Sequence, residues 1–221
     1  NTIFNLREYN QKQFLIDNWN IIAFNNLENN YPHTHGDSIM MPYKLLKNIS
    51  KNDTELMNTF IHEQVHVDQR KNFYKYHDLY TNFWNFKLIE LDNVDWQNIK
   101  RKVRSNPDVE NLNWVFSYNN TNIVLVALFD DNPSNLSSVT YNGVYLDDNF
   151  QLQKPLRMKP LNSIRDFNSF FGNINNNHYH PNEITAEIIA AHCMAHKKNI
   201  SSSLKKCKAY KNFLNWWNKL E

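Results

Sequence analysis

His62-Glu63-Gln64-Val65-His66 constrains this chain more than any other stretch. On an α-helix, residues four apart share a face, so His62 and His66 present two imidazoles to one point while Glu63 stands beside them. The surrounding residues ask for that helix. Ser50, Asn52, Asp53 and Thr54 all suit an N-cap, and Leu56, Met57, Phe60, Ile61 and Val65 recur at helical spacing, which predicts a helix over 54–69. The plain alternative is a buried helix whose histidines are satisfied by hydrogen bonds. A carboxylate sharing the face of the pair favours a metal instead, because two imidazoles and a base are what zinc hydrolysis requires.

Catalytic zinc takes three protein ligands and leaves a fourth position to water, so a third ligand must come from elsewhere. The stretch His178-Tyr179-His180-Pro181-Asn182-Glu183-Ile184-Thr185-Ala186-Glu187 offers one. Pro181 is tolerated in a first helical turn, and Glu183 and Glu187 then stack on one face of a helix expected to run to about residue 197. Glu183 is the candidate ligand, and Glu187 is placed to brace an imidazole from behind. His180, three residues earlier, is the other group able to take the third position. Glu63 to His66 also spells the E-x-x-H of di-iron bundles, but those need a second copy, and the chain has none. His192 and His196 form a further pair four apart. They have no Glu between them and lie beside Lys197 and Lys198, which suits the C-terminal end of a helix dipole.

In these two segments the chain resembles the zincin metallopeptidases whose third zinc ligand is a Glu, the thermolysin- and neprilysin-like gluzincins. Asn182-Glu183-Ile184-Thr185-Ala186-Glu187 matches the family's ligand helix: Asn before the Glu, an acidic residue four later, and Ala at 186 as in neprilysin-like enzymes. The resemblance implies Zn2+ on His62, His66 and Glu183, Glu63 as general base and Glu187 behind a ligand histidine. It also implies a zincin-like α+β fold and a peptide or protein substrate. It covers about 25 of the 221 residues. Glu stands at 187 where the family usually has Asp. The gap of 183 − 66 = 117 residues exceeds the family's usual connection and implies a folded insertion between the two helices. The family's substrate-binding strand motif has no counterpart upstream.

His178, Tyr179 and His180 follow Gly172 and an Asn-rich run at 173–177, a loop that should hang near the metal. One of the three could hydrogen-bond the oxyanion formed when water attacks a carbonyl; otherwise the loop is simply solvated. His33 and His35, in Tyr31-Pro32-His33-Thr34-His35-Gly36-Asp37, have a spacing that suits metal, but residues beside Gly and Pro are more often exposed. Both are read as exposed, with His35 kept as a candidate substrate contact.

At 221 residues the chain can enclose a core without disulfide or metal staples, so a metal would serve chemistry. Aromatic residues make up 14%, as a packed globular protein needs, and the mean hydropathy of −0.69 comes largely from Asn, roughly one residue in six. Its 24 basic and 22 acidic residues are interspersed, giving +2, so no nucleic-acid partner is indicated. The run Lys100-Arg101-Lys102-Val103-Arg104 reads as the solvated face of a helix over 94–105. The longest apolar run, 123–129, is too short to span a membrane. Cys193 and Cys207 are either a disulfide or two buried thiols, and with no targeting segment in view localisation stays open, as does oligomeric state.

Further helices are expected over 10–20, 73–86 and 203–220. Strands are expected over 38–46, 113–118, 122–129, 138–141 and 144–146, the last two joined by a tight Asn142-Gly143 turn. These elements make one α+β domain over 1–221 with a β-rich insertion at about 107–160. The expected activity is zinc-dependent peptide hydrolysis. The alternatives are a metal-binding or structural domain without turnover, and a zinc amidase or esterase acting on a non-peptide substrate.

Overall fold

The computed structural model, which describes residues 19–47, 53–91, 94–109, 114–130, 138–172, 178–195 and 200–220, is a mixed α+β structure. In chain order its elements are β1 (Asn20–Phe24), β2 (His33–His35), β3 (Ser38–Pro42), α1 (Tyr43–Lys47), α2 (Thr54–Lys71), α3 (Phe73–Asp78), a π-helical turn (Leu79–Phe83), β4 (Phe86–Leu88), α4 (Val94–Lys100), β5 (Trp114–Tyr118), β6 (Thr121–Phe129), β7 (Val139–Leu146), β8 (Met158–Pro160), α5 (Arg165–Phe171), α6 (Pro181–Cys193), α7 (Ser202–Lys206) and α8 (Lys208–Trp217). Contacts group the described residues into two units. One takes the chain up to Tyr76 together with stretches after Thr185 and Asn218; the other takes His77–Ile184 and Ser202–Trp217, so that α6 runs through the division.

The first unit is built on α2. Asp53 caps it by accepting from the Leu56 amide at 2.9 Å, and Glu55 in the first turn and Arg70 and Lys71 in the last suit the helix dipole. Leu56, Met57, Phe60, Ile61 and Val65 are buried, and the helix packs on β2 and β3. Those strands belong to a three-stranded sheet of order β1-β3-β2, with β1 parallel and β2 antiparallel to the central strand, whose Ile39 and Met41 are sealed from solvent. Buried Asp68 pairs with Lys75 and accepts from Tyr76 Oη at 2.5 Å and Asn72 Nδ2 at 2.7 Å. Arg70 donates to the Gly36 carbonyl at 2.9 Å and to Thr34 Oγ1. These charge-assisted bonds fix the rotation of α2 about its own axis, and hence the direction in which His62 and His66 point.

The second unit holds a five-stranded antiparallel sheet of order β4-β5-β6-β7-β8. Strand alternation sorts its two faces. Val115, Val124, Val126, Leu128, Val144 and Leu146 share a cluster with Trp96 and Ile99 of α4, while Phe116 meets Phe167, Phe170 and Phe171 of α5 at 5.4–5.6 Å between rings. Asn119 and Asn120, both at positive φ (48° and 62°), form the turn between β5 and β6, residues that tolerate this backbone better than most.

Several boundaries differ from the sequence-based expectation. Asn142-Gly143 makes no turn: β7 is continuous, with Asn142 and Gly143 paired to Val126 and Leu125 on one side and to Pro160 and Lys159 on the other. The strand expected over 38–46 ends at Pro42 and passes into α1. The helix expected over 73–86 becomes α3 and a π-helical turn, and Asn85 at φ 57° redirects the chain into β4. That of 94–105 stops at Lys100, because Lys102 and Arg104 hydrogen-bond the backbone of β6; the basic run is therefore not one helical face. The helix of 203–220 is broken at Cys207, whose Sγ accepts from the Tyr210 amide at 3.3 Å and caps α8. The helix expected over 10–20 lies almost wholly outside the described residues, and Asn20 opens β1. Both cysteines are free buried thiols, and among the described residues no helix is long and apolar enough to cross a membrane.

Candidate metal centre

Four-residue spacing on α2 brings the two imidazoles together. His62 and His66 meet through their Nε2 atoms at 3.1 Å, with ring planes at 75°. Two nitrogens on one tetrahedral zinc, each about 2.05 Å from the ion, stand about 3.3 Å apart, so the pair is spaced as ligands of a single ion are. His66 is buried, and its Nδ1 lies 2.8 Å from Oε1 of buried Gln69. A neutral imidazole carries one N–H; given to Gln69, it leaves a lone pair on Nε2. Glu63, one residue along from His62, is buried as well.

Glu183 sits in the first turn of α6. His180 is the cap of that helix: its Nδ1 accepts from the Asn182 amide at 3.1 Å, and Pro181 fills the first helical position. Asn182 accepts from Tyr80 Oη at 3.1 Å and donates to the Asp108 carbonyl at 3.2 Å. Asn106 donates through Nδ2 to Glu183 Oε1 at 2.7 Å and to Tyr179 Oη, while its side-chain Oδ1 accepts from the Asp108 amide at 3.0 Å. The 106–108 segment thus orients the buried Glu183 carboxylate.

His62, His66 and Glu183 each offer one ligand atom, and these atoms all lie within 4.8 Å of one another. Two imidazole nitrogens and one carboxylate oxygen are the donor set that zinc accepts in hydrolytic sites, with a position left for water. Glu187 is half-buried one turn further along α6. At His66 the bracing contact is made by Gln69.

The remaining candidates fall into different environments. His178 is buried, and its Nε2 has no hydrogen-bond partner among the described residues. Burial lowers its pKa from 6.5 to about 3 against the opposing charge of Glu183. Tyr179 is buried and stacked on Tyr141 at 5.4 Å; burial, reinforced by Glu183, raises its pKa, so the phenol keeps its proton. The Asn-rich run before them lies outside the described residues. His35 is exposed at the end of β2, as expected. His33 is not: it is buried, its Nδ1 bonded to the Tyr31 carbonyl at 3.1 Å and its ring beside Phe24. α6 ends at Cys193, short of residue 197, with His196 outside the described residues. Burial lowers the pKa of His192, which weakens its expected role as a cation at the helix end.

Gln69 and Asn106 are absent from the sequence-derived set. Gln69 follows His66 by three residues, a spacing that marks neighbours on one helical face. Asn106 has no such signal, since it lies 77 residues from Glu183. No protein-family model matches the chain, and neither a curated protein nor a solved structure matches it.

Proposed function

We propose that this protein is a zinc-dependent metallopeptidase of zincin-like architecture, with zinc on His62, His66 and Glu183 and with Glu63 as general base. The observation that carries this reading is the grouping of three ligand atoms within 4.8 Å, two of them from a helix whose intervening Glu is buried. Zinc at such a site supplies a water of lowered pKa and polarises the scissile carbonyl.

The chain's own groups have separable tasks. Gln69 and Asn106 hold a ligand histidine and the ligand carboxylate in fixed orientations. Glu63 takes a proton from the attacking water and later delivers it to the departing amine. Tyr179, kept protonated by burial, and neutral His178 are available as donors to the developing oxyanion. The gluzincin-like pattern of residues 182–187 favours a peptide substrate over another amide or an ester.

Metal analysis and one conservative substitution test the reading. Purified protein should hold about one zinc, lost in His62→Ala and Glu183→Ala and kept in His180→Ala. Glu63→Gln should retain zinc and fold while hydrolysing peptides at least about a hundredfold more slowly. A protein that takes up no added zinc overturns the proposal. Zinc binding with no hydrolysis of any peptide would leave a binding domain, and turnover of esters or small amides alone would reassign the substrate.

A further inference from the structure

We propose that Gln69 is the positioning residue that holds His66 as its Nδ1–H tautomer and thereby presents a bare Nε2 to the metal. Its purpose rests on the zinc reading above, but the tautomer belongs to the metal-free chain and can be measured there. Both groups are buried, His66 to 1% exposure and Gln69 to 5%, so water does not compete for the bond between them. At 2.8 Å between Nδ1 and Oε1 the contact is a short hydrogen bond, and a carboxamide oxygen can only accept. The single proton of the neutral ring must therefore lie on Nδ1. The opposite amide orientation would present N–H to Nδ1 and force the proton onto Nε2, the nitrogen that lies 3.1 Å from His62 Nε2, where it would leave no lone pair for a metal. One amide orientation thus decides whether the pair on α2 can act as ligands at all.

The residue type matters as much as its position. A carboxylate at 69 would also accept the Nδ1 proton, but would place a further negative charge at a buried position. A carboxamide orients the ring without that charge. Leu has nearly the volume of Gln and fills the same space without accepting anything, so packing and positioning make opposite demands on a substitution.

The experiment uses the full chain as wild type, Gln69→Leu and Gln69→Glu. The His66 tautomer is read by imidazole 15N shifts in metal-free protein, the fold by thermal melting, and zinc affinity by titration with zinc alone. Wild type should show Nδ1–H at His66. Gln69→Leu should melt near wild type, lose the tautomer preference and bind zinc about 10 to 100-fold more weakly. Gln69→Glu should keep the tautomer and restore most of the affinity. An Nε2–H ring in wild type overturns the assignment even if the Leu variant fails to fold. So does wild-type tautomer and affinity in Gln69→Leu, or a ranking in which Leu binds zinc better than Glu. If no variant binds zinc while the tautomer still depends on Gln69, the positioning role stands and the metallopeptidase reading falls.

Discussion

Burial keeps the His178 imidazole neutral, with a pKa near 3 in the folded chain against 6.5 in the unfolded one. Between those values the unfolded state binds the extra proton. The favourable margin is complete above about pH 6.5 and is lost as pH falls toward 3, by at most about 1.4 kcal/mol per pH unit. His178→Asn removes the titrating group, so the stability of metal-free variant, measured by denaturant unfolding, should fall less steeply than that of wild type across this window. Parallel curves would show that His178 is accessible to protons. Residue-scale legibility followed from how far apart the cooperating groups lie in the chain. His62, Glu63 and His66 were legible because helical spacing fixes their relative positions, and Glu183 because Pro181 and Glu187 mark its helix. His178, Tyr179 and Asn106 owe their environments to contacts that no local spacing encodes.

At the scale of elements, the failures share a cause: a short sequence signal is overridden by partners distant in the chain. Asn142-Gly143 is competent to turn, but ladders on both sides hold it in β7. Gly143 is required there for room rather than for a positive φ. A Cβ at this position would stand 2.5 Å from Ile164 Cδ1 and 3.2 Å from Ile123 Cδ1, and both isoleucines are buried. Gly143→Ala should therefore destabilise by about 1–3 kcal/mol, the usual range for an overpacked core, even though Ala favours a strand over Gly. Ile164→Val removes the nearest methyl, and the double variant should regain part of the loss in a denaturant-unfolding cycle. If Gly143→Ala is as stable as wild type, the glycine marks a tolerated site. The strands over 113–118 and 122–129 were legible, by contrast, because runs of Val, Phe and Ile match a two-faced sheet and agree with their partners.

For the molecule as a whole, a change of residue pattern after residue 113 announced strands, but their order in the sheet did not follow from it. Strand order depends on loop closures that leave no periodic trace. The same long-range closure would govern the proposed metal site. Glu183 lies 183 − 66 = 117 residues from His66, so the unfolded chain has no preformed three-ligand site and keeps at most the weak affinity of two nearby histidines. Zinc should therefore bind the native state far more tightly and stabilise it by mass action, by about 2.7 kcal/mol when free zinc is a hundred times its dissociation constant. For a chain of this length that is roughly 5–10 °C in Tm. Thermal melting across a zinc titration should show the rise in wild type and in Glu63→Gln, which keeps all three ligands, and its reversal by chelator. His66→Ala and Glu183→Ala should melt at the same temperature with or without zinc. A zinc-dependent rise of equal size in Glu183→Ala would mean that the ion is held by α2 without the carboxylate of α6, and would remove Glu183 from the ligand set.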